Sequence, residues 1–483
     1  MSPLFVSIII VFYFALLVGI SYLTTRKVDS KSFFSGTRKS PWYIIAIGMI
    51  GTSISGVTFI SVPGAVYSDQ FAYFQMVLGF LVGYLVVANV LLPLYYRLNL
   101  TSIYSYLETR FGFFSYKTGA LFFLLSRTIG SAFRLYIVSM VLQTIIFDKI
   151  GIPFWVSVTV TIGLIYLYTY KGGVKTIIWT DLAQTFAMIA AVVLCLLFIS
   201  DAFGFSIIQM LETVRDSSYS RVWHFDDPSS KLYFWKQFLA GIFIPIVMTG
   251  LDQDQMQKNL SCRSLSDAKK NMYWYSLMFV PINLLFMSVG VLLVLYAQKM
   301  GIAIPAKTDT LFPMIATGGY LNAALGVTFI IGVIAAAYSS ADSALTALTT
   351  SFTVDILGAT KYEEPKLKRI RTTVHLGMSL LLIATILIFK AINDEAVIKA
   401  IYTVAGYTYG PLLGLYAFGV FTKRRVRDYL IPVAAVLAPV ICYVATRFFP
   451  VGFELLIYNG FVTFVLMWLT GIGLKSNPEK LIV

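Results

Sequence analysis

The sequence predicts an all-α integral membrane protein. Of its 483 residues, 58% are hydrophobic and only 12% are charged, and the mean hydropathy is +0.80. A soluble domain needs more polar side chains than this to cover its surface. The apolar residues also form long segments, and about 20 such residues suffice for an α-helix to cross a hydrocarbon layer of about 30 Å.

About thirteen apolar segments are expected to cross the membrane as helices. They are residues 3–23, 41–64, 72–95, 117–147, 152–170, 176–201, 235–257, 271–299, 321–350, 372–391, 396–421, 428–446 and 453–474. No soluble domain interrupts them. The longest connection, about 202–234, has room for a short surface helix.

Four connections are rich in basic residues, and a count of thirteen spans places all four on the same side. They contain Arg26, Lys27, Lys31, Arg38 and Lys39; Lys258, Arg263, Lys269 and Lys270; Lys366, Lys368, Arg369 and Arg371; and Lys423, Arg424, Arg425 and Arg427. Basic loops mark the cytoplasmic side, so the N-terminus is expected outside and the C-terminus inside. Topology therefore explains the net charge of +14, and nucleic acid is not expected as a partner.

Two of the predicted spans carry the residues that interrupt helices. The segment 41–64 has Thr52-Ser53-Ile54-Ser55-Gly56 near its middle, and the segment 235–257 has Pro245 and Gly250 ahead of Asp252. They lie five spans apart. Interrupted helices at corresponding positions of two five-helix halves are typical of transporters built from inverted repeats, with a binding site near the membrane midplane.

A further span places oxygen atoms at membrane depth. At helical spacing Ala336, Ser339, Ser340 and Ser343 share one face, with Asp342 beside it. Backbone and hydroxyl oxygens suit a hard cation, and an ionisable group within a span indicates a functional site. The alternative is a seam of small residues that lets two helices pack closely.

Enzymatic chemistry is not indicated. The chain has two histidines and three cysteines, without metal-ligand spacing or a Ser/Lys dyad. We therefore expect a protein that is not an enzyme.

Seven short motifs follow one another along the chain. They are Phe33 to Arg38 before Pro41-Trp42; Thr58 to Tyr67; Tyr106 to Phe111; Gly172-Gly173 with Trp179, Asp181 and Gln184; Asp252-Gln253 with Gln257-Lys258; Ser339-Ser340 with Asp355; and Gly410 to Gly414 with Gly419 to Phe421. In this order they resemble the sodium/solute symporter family of sodium-glucose, proline, sialic acid and vitamin transporters. The motif around Ser55 is most similar to the sialic acid and organic-anion branch.

The resemblance implies one transporter domain over residues 1–483 with a five-plus-five inverted-repeat (LeuT-like) core. The leading helix is then 3–23, the first repeat 41–201, the second repeat 235–421, and the two trailing helices 428–474. The implied partners are a small-molecule solute, sodium and the lipid bilayer, with no obligatory protein partner. The expected location is the cell membrane, specifically a bacterial inner membrane.

The resemblance also implies where sodium binds. The common site falls on Gly51, Ile54, Ala336, Ser339 and Ser340. A second sodium site, present in some members, falls on Asp181, Asp342 and Ser343. Asp342 replaces a serine of the sialic acid transporters, so the number of sodium ions stays open, and Asp181 has the alternative role of bracing a loop.

Solute ligands are implied on the first, second, third and sixth core helices. They are Ser53, Ser55, Thr58, Gln75, Arg127, Arg134, Asp252 and Gln253. Val77 and Phe279 replace polar residues of a galactose transporter, so a galactose-type pocket is not supported. The two arginines either bind a carboxylate of the solute or pair internally with Asp252 or Asp254. A third alternative for Arg127 is that its side chain extends to the cytoplasmic edge of the membrane.

The function implied is sodium-coupled import of a small polar solute by alternating access. The leading expectation is a sugar acid such as sialic acid, or a sugar. The alternatives are another organic anion, a vitamin, a polyol or an amino acid, and, more remotely, a channel-like or sensor derivative of the same fold.

Overall fold

A computed structural model describes residues 3–25, 29–36, 38–392, 397–448, 451–452 and 454–474. The predicted all-α class is confirmed: in these ranges the regular elements are helices, apart from one isolated bridge between Ser40 and Cys262. Arg26 and Lys27 of the first basic loop, and Thr37 of the first motif, lie outside the described residues.

Nineteen helices longer than one turn make up the described chain. They are α1 (Pro3–Thr24), α2 (Ser30–Ser35), α3 (Trp42–Ser53), α4 (Gly56–Asp69), α5 (Ala72–Arg97), α6 (Ser105–Arg110), α7 (Phe113–Leu142), α8 (Phe154–Thr169), α9 (Val174–Phe203), α10 (Ile207–Asp216), α11 (Phe234–Gly250), α12 (Gln253–Asn259), α13 (Leu265–Lys299), α14 (Leu311–Thr317), α15 (Ala323–Ile356), α16 (Glu364–Ile392), α17 (Val397–Phe421), α18 (Asp428–Ala445) and α19 (Leu455–Thr470). α10 is the short helix that residues 202–234 were expected to accommodate.

Within the described ranges, seven helices are long and apolar enough to cross a membrane, and two bent pairs raise the number to nine. The predicted count of thirteen is therefore not confirmed. Helices α8 and α19 coincide with predicted segments but contain only 16 residues each. Two further predicted segments coincide with α1, of 22 residues, and α17, of 25 residues.

Both predicted interruptions are present. α3 and α4 meet at an angle of 61°, and α11 and α12 meet at 71°. At the first break Ile54 and Ser55 leave helical geometry. At the second break Leu251 and Asp252 do so.

The oxygen-rich helix α15 lies at the centre of the bundle. Every residue from Gly332 to Ser351 is buried, and α15 packs against α3, α4, α7 and α9. The polar face predicted for this helix is thus enclosed by protein and does not face lipid. Irregular backbone at membrane depth requires such shelter.

Glycines bring α5 and α11 into close contact. A Cβ atom at Gly79 would lie 2.3 Å from the carbonyl oxygen of Phe238, and one at Gly241 would lie 2.2 Å from that of Met76. Small residues at such crossings let two helix backbones approach within van der Waals contact. The second broken helix is thereby fixed against α5.

The basic loops lie on one face of the bundle. Contacts that connect them or the helix ends beside them are Arg263 Nε to Lys39 O (3.1 Å), Ser40 N to Ser261 O (3.2 Å), Ser30 N to Glu364 Oε1 (2.8 Å), Lys117 Nζ to Asp355 O, and Phe114 N to Asp428 Oδ2 (2.8 Å). The prediction that Lys258 lies in a basic surface loop is wrong, because its side chain is only 2% exposed.

Candidate functional site

The break between α3 and α4 leaves backbone carbonyl groups inside the bundle. α3 ends at Ser53, and regular helix resumes only at Gly56. Carbonyl groups in the last turn of a helix have no intrahelical partner. Those of Gly51 and Ile54, two of the predicted sodium ligands, lie at this end.

Gly51 lies directly against α9 and α15. A Cβ atom at this position would lie 2.2 Å from Thr185 Oγ1 and 3.3 Å from Ser339 Oγ. Thr185 Oγ1 is held in place, since it donates to Ile47 O at 3.0 Å or to Asp181 O at 2.7 Å. Only glycine fits this contact, and the contact brings the helix break next to a predicted hydroxyl ligand.

The remaining predicted ligands of the first site line up on α15. Ser339 Oγ donates to Asp181 Oδ1 at 2.5 Å. Ser340 Oγ accepts from Arg134 Nη1 at 3.4 Å. Ala336 is buried one turn earlier. The structure therefore brings the α3 break and the α15 hydroxyls into one region of the interior.

Lys258 enters the second predicted sodium site. Its Nζ donates to Asp181 Oδ2 at 2.7 Å, to Ser343 Oγ at 2.6 Å and to Thr52 Oγ1 at 2.5 Å. These three oxygens belong to α9, α15 and α3. Asp181 thus has an ion-pair partner from α12 that sequence reasoning assigned to a surface loop.

Asp342 interacts electrostatically with Asp181 and Lys258 but takes its hydrogen bond from a different helix. Tyr168 OH of α8 donates to Asp342 Oδ2 at 2.9 Å, and the ion pairs found among the described residues do not include Asp342. The three residues predicted for a second sodium are therefore divided between two sets of hydrogen-bond partners.

A chain of alternating charges continues from Lys258. Lys258 Nζ lies 3.7 Å from Asp254 Oδ1, Asp254 pairs with Arg127, and Arg127 Nη1 lies 3.6 Å from Asp252 Oδ2. Tyr409 OH closes the chain by donating to Asp252 at 2.7 Å. Of the three roles considered for Arg127, internal pairing is the one that the structure contains.

A cavity lies between the two broken helices. It encloses about 810 Å³ with the adjoining solvent included. Its wall includes five predicted solute ligands: Ser53, Ser55, Thr58, Arg127 and Arg134. Aromatic and apolar side chains complete it: Val57, Tyr73, Phe80, Tyr84, Ile244, Pro245, Met248 and Phe279.

Three predicted solute ligands lie outside this wall. Asp252 is used by Arg127 and Tyr409, as described above. Two amide side chains bind backbone groups instead: Gln75 contacts Leu232 O (3.0 Å) and His224 N (3.1 Å), and Gln253 contacts Thr101 O (2.9 Å) and Ile103 N (3.0 Å). These glutamines fix loops and helix ends, and their amide atoms face backbone.

Gln255 and Lys258 are the polar residues of the site that sequence reasoning missed. Gln255 lines the cavity, and its Oε1 has no hydrogen-bond partner among the described residues. Both residues follow Asp252 in the motif Asp-Gln-Asp-Gln-Met-Gln-Lys, whose polar composition is typical of a surface loop. The signal that could have found Lys258 is its i, i+4 spacing from Asp254.

Comparison with known proteins identifies the family of this chain. The sodium:solute symporter family matches residues 33–428, which is more than half of the chain. The chain belongs to the sodium:solute symporter family. The resemblance seen in the sequence motifs is thereby confirmed, and the protein is a sodium-coupled solute symporter and not an enzyme.

Individual relatives of this symporter are distant but nearly full-length. The sodium/sialic acid symporter SiaT of Proteus mirabilis is 25% identical, with 88% of this chain and 86% of the relative covered. NanT of Aliivibrio fischeri, also a sodium/sialic acid symporter, is 26% identical over 88% and 84%. The human sodium/iodide cotransporter is 26% identical over 81% of this chain and 61% of its own.

Solved structures share the fold of this symporter. A substrate-bound, outward-open sodium-coupled sialic acid symporter superposes with a TM-score of 0.82 at 20% identity, covering 98% of both chains. A nucleobase-cation-symport-1 family transporter, Mhp1, gives 0.55 at 12% identity over 90% and 92%. The predicted inverted-repeat transporter fold is confirmed, whereas the predicted bounds of the repeats stay predictions.

Proposed function

We propose that this symporter imports a small organic anion together with sodium by alternating access, with a sugar acid such as sialic acid as the leading candidate. The observation that carries the proposal is the position of Arg134. Its guanidinium lines the cavity, and Nη1 lies 3.4 Å from the hydroxyl of Ser340. A planar guanidinium recognises a carboxylate through two parallel hydrogen bonds.

The relatives support an anionic solute. The names of those found include sialic acid, iodide and monocarboxylates. These solutes differ in size and shape, but each carries a negative charge. A cationic side chain in the cavity is the feature of this chain that suits such solutes.

Arg134 also explains how solute and sodium would be coupled. A guanidinium beside Ser340 opposes a cation at the proposed sodium site of Gly51, Ile54, Ala336, Ser339 and Ser340, because like charges repel strongly where water is excluded. A carboxylate on Arg134 offsets this repulsion. Solute and sodium then bind cooperatively, and each raises the affinity of the other by the same factor.

The proposed direction is inward across the cell membrane, taken as a bacterial inner membrane, with the N-terminus outside and the C-terminus cytoplasmic. The basic loops on one face support this orientation. Each sodium ion that enters an inside-negative cell gains about 2.3 kcal/mol per 100 mV. This energy drives the accumulation of the solute.

The test is uptake into proteoliposomes with sialic acid as the labelled probe and a panel of competitors. Sugar acids should compete better than their neutral amides or alcohols. Arg134→Gln should remove this preference, because it removes the charge but keeps hydrogen-bond donors. Lys299→Gln is the matched control, since Lys299 is exposed at the end of α13.

Two results would overturn the proposal. One is equal competition by acids and their neutral amides in the native protein. The other is a preference for acids that Arg134→Gln leaves intact. The first result would make the cavity a site for a neutral solute. The second would make Arg134 a structural residue that does not select the acid.

A further inference from the structure

The amino group of Lys258 sits in a closed cage of oxygen atoms. Its three partners are the carboxylate of Asp181 and the hydroxyls of Ser343 and Thr52, all within 2.7 Å. The side chain is 2% exposed, and that of Asp181 is fully buried. An ammonium group has three N–H donors, so these oxygens satisfy all of them.

The cage has the composition of a hard-cation site. Carboxylate, hydroxyl and carbonyl oxygens are the ligands that hard metal cations take in proteins. The second oxygen of Asp181 is also occupied, because it accepts from Ser339 at 2.5 Å. A carboxylate and two hydroxyls from three helices, α9, α15 and α3, therefore converge on one position, and that position holds a side-chain cation.

We propose that Lys258 is the permanent cation of this site, so that sodium binds only at the site formed by the α3 break with Ser339 and Ser340. The protein would then carry one sodium ion per solute. This inference rests on the proposed sodium site for its absolute stoichiometry. It replaces the second sodium expected at Asp181, Asp342 and Ser343.

Electrostatics excludes a sodium ion from the cage while Lys258 is present. The ammonium of Lys258 lies 2.7 Å from Asp181 Oδ2 and 3.7 Å from Asp254 Oδ1, so it already supplies a positive charge between these carboxylates. A second cation within the same few ångströms would meet the ammonium in a medium of low dielectric, where like charges repel strongly.

The backbone of α12 keeps Lys258 in place. All seven residues of this helix, Gln253 to Asn259, are buried. Asp254 lies 3.7 Å from the same ammonium and also pairs with Arg127. Release of the ammonium would therefore leave an unpaired buried charge on both sides, which is strongly unfavourable.

The ligands of a sodium ion are joined only while the ion is bound. The ammonium of Lys258, in contrast, is covalently attached to the chain. The cage thus joins α3, α9, α12 and α15 whether or not sodium is bound. Sodium dependence is left to the neighbouring site, which shares Ser339 with the Asp181 carboxylate.

The experiment measures binding of ²²Na⁺ to the purified full-length protein at equilibrium. Native protein should bind one ion. Lys258→Ala should bind two, because Asp181 then lacks its cation, and Lys258→Ala combined with Asp181→Asn should return to one. Lys299→Ala should behave as native. Lys258→Gln, which preserves much of the side-chain volume, is a second variant in case Lys258→Ala does not fold.

The difference in the number of bound sodium ions between the variants tests the role of Lys258. The number bound by the native protein tests the proposed sodium site. If Lys258→Ala gains one ion and the added Asp181→Asn removes it, the inference about Lys258 is supported even when the native protein binds no sodium. A native protein that binds no sodium would contradict only the proposed sodium site. Two ions bound by the native protein would overturn the inference, as would an unchanged number in folded Lys258→Ala or Lys258→Gln.

Discussion

Individual polar residues in this protein derive their roles from partners far away in the sequence. Asp181, Asp254 and Asp252 are fully buried carboxylates, and each lies within 4 Å of the charged group of Lys258 or Arg127. Charges buried without such pairing cost several kcal/mol each. Pairing makes the charges tolerable at membrane depth.

The hydroxyl of Ser340 should contribute to sodium affinity. Removing one oxygen ligand of a charged group costs about 1.5–3 kcal/mol, so Ser340→Ala should raise the sodium concentration for half-maximal uptake by roughly tenfold or more. Initial rates of uptake against sodium concentration measure this. Ser379→Ala is the control, because Ser379 is also buried and bonds only to the carbonyl of His375. Equal sodium dependence in both variants would exclude Ser340 as a ligand.

Loss of Arg127 should destabilise the protein more than loss of a surface arginine. Arg127→Gln leaves Asp252 and Asp254 short of positive charge, and breaking such a buried pair costs about 3–5 kcal/mol. Arg221→Gln breaks the exposed pair with Asp226, which is worth about 0–1 kcal/mol. Thermal unfolding in detergent should therefore show a large fall in Tm for the first variant only. Similar Tm values would show that the network does not stabilise the fold.

Sequence reasoning found the site residues that follow a local pattern. Ser339 and Ser340 stand out as hydroxyls in an apolar run, and Gly51 stands out within an interrupted helix. Lys258 does not stand out in the sequence, because its partners Asp181 and Ser343 lie 77 and 85 residues away. The backbone partners of Gln75 and Gln253 do not follow from a local pattern for the same reason, since they lie about 150 residues away.

At the scale of helices, the two breaks provide the irregular backbone that a transport site needs. Glycine and proline near the middle of a span weaken or remove helical hydrogen bonds, and the sequence predicts breaks at both positions for this local reason. The bend angles of 61° and 71° depend on packing against neighbouring helices, which the sequence pattern does not contain.

A methyl group at Gly51 should disturb the first break. The new Cβ atom would lie 2.2 Å from Thr185 Oγ1, so α3 and α9 must separate or Thr185 must rotate. Gly51→Ala should therefore reduce sodium-driven uptake at least tenfold without loss of membrane insertion. Gly163→Ala is the control, because a Cβ atom there meets no atom within 4 Å.

Relief of the contact provides a second check on the same prediction. Combining Gly51→Ala with Thr185→Ala removes the closest atom and should restore part of the uptake. Normal uptake by Gly51→Ala alone would show that the packing of Gly51 against α9 is not needed for transport.

At the scale of the whole molecule, the sequence predicts the fold class better than the number of spans. Hydropathy identifies the apolar segments, and the basic loops do lie on one face. Two of the predicted spans, α8 and α19, contain only 16 residues each, fewer than the about 20 needed for a full crossing. The bounds of the two repeats remain predictions, since no residue identity between the halves defines them.

Sidedness can be tested by labelling engineered cysteines in intact cells. Ser229 and Lys368 are both exposed, in the connection before α11 and near the start of α16. A membrane-impermeant thiol reagent should label Ser229→Cys in intact cells and Lys368→Cys only after permeabilisation. The native cysteines, Cys195, Cys262 and Cys442, are buried and should give little background. The reverse labelling pattern would invert the proposed topology.

The cavity between the broken helices continues toward the face opposite the basic loops. A second cavity shares Val57, Thr58 and Tyr73 with it and extends to Asp69 and Gln70 at the end of α4. At the other end, the pairs formed by Arg127 with Asp252 and Asp254 separate the cavity from the basic face. Solute should therefore enter this conformation from the side that carries residues 204–233.

Reactivity of a cysteine at Thr58 should report this asymmetry. In sodium without solute, an impermeant thiol reagent applied from the side of residues 204–233 should inactivate Thr58→Cys at least tenfold faster than the same reagent applied from the side of the basic loops. The reason is that only the first side connects to Thr58 without breaking the ion pairs of Arg127. Sialic acid, as the probe solute, should slow the reaction, because it occupies the wall on which Thr58 lies. Faster reaction from the basic side would place the ion-pair network at the open end of the cavity and contradict entry of the solute from the side of residues 204–233.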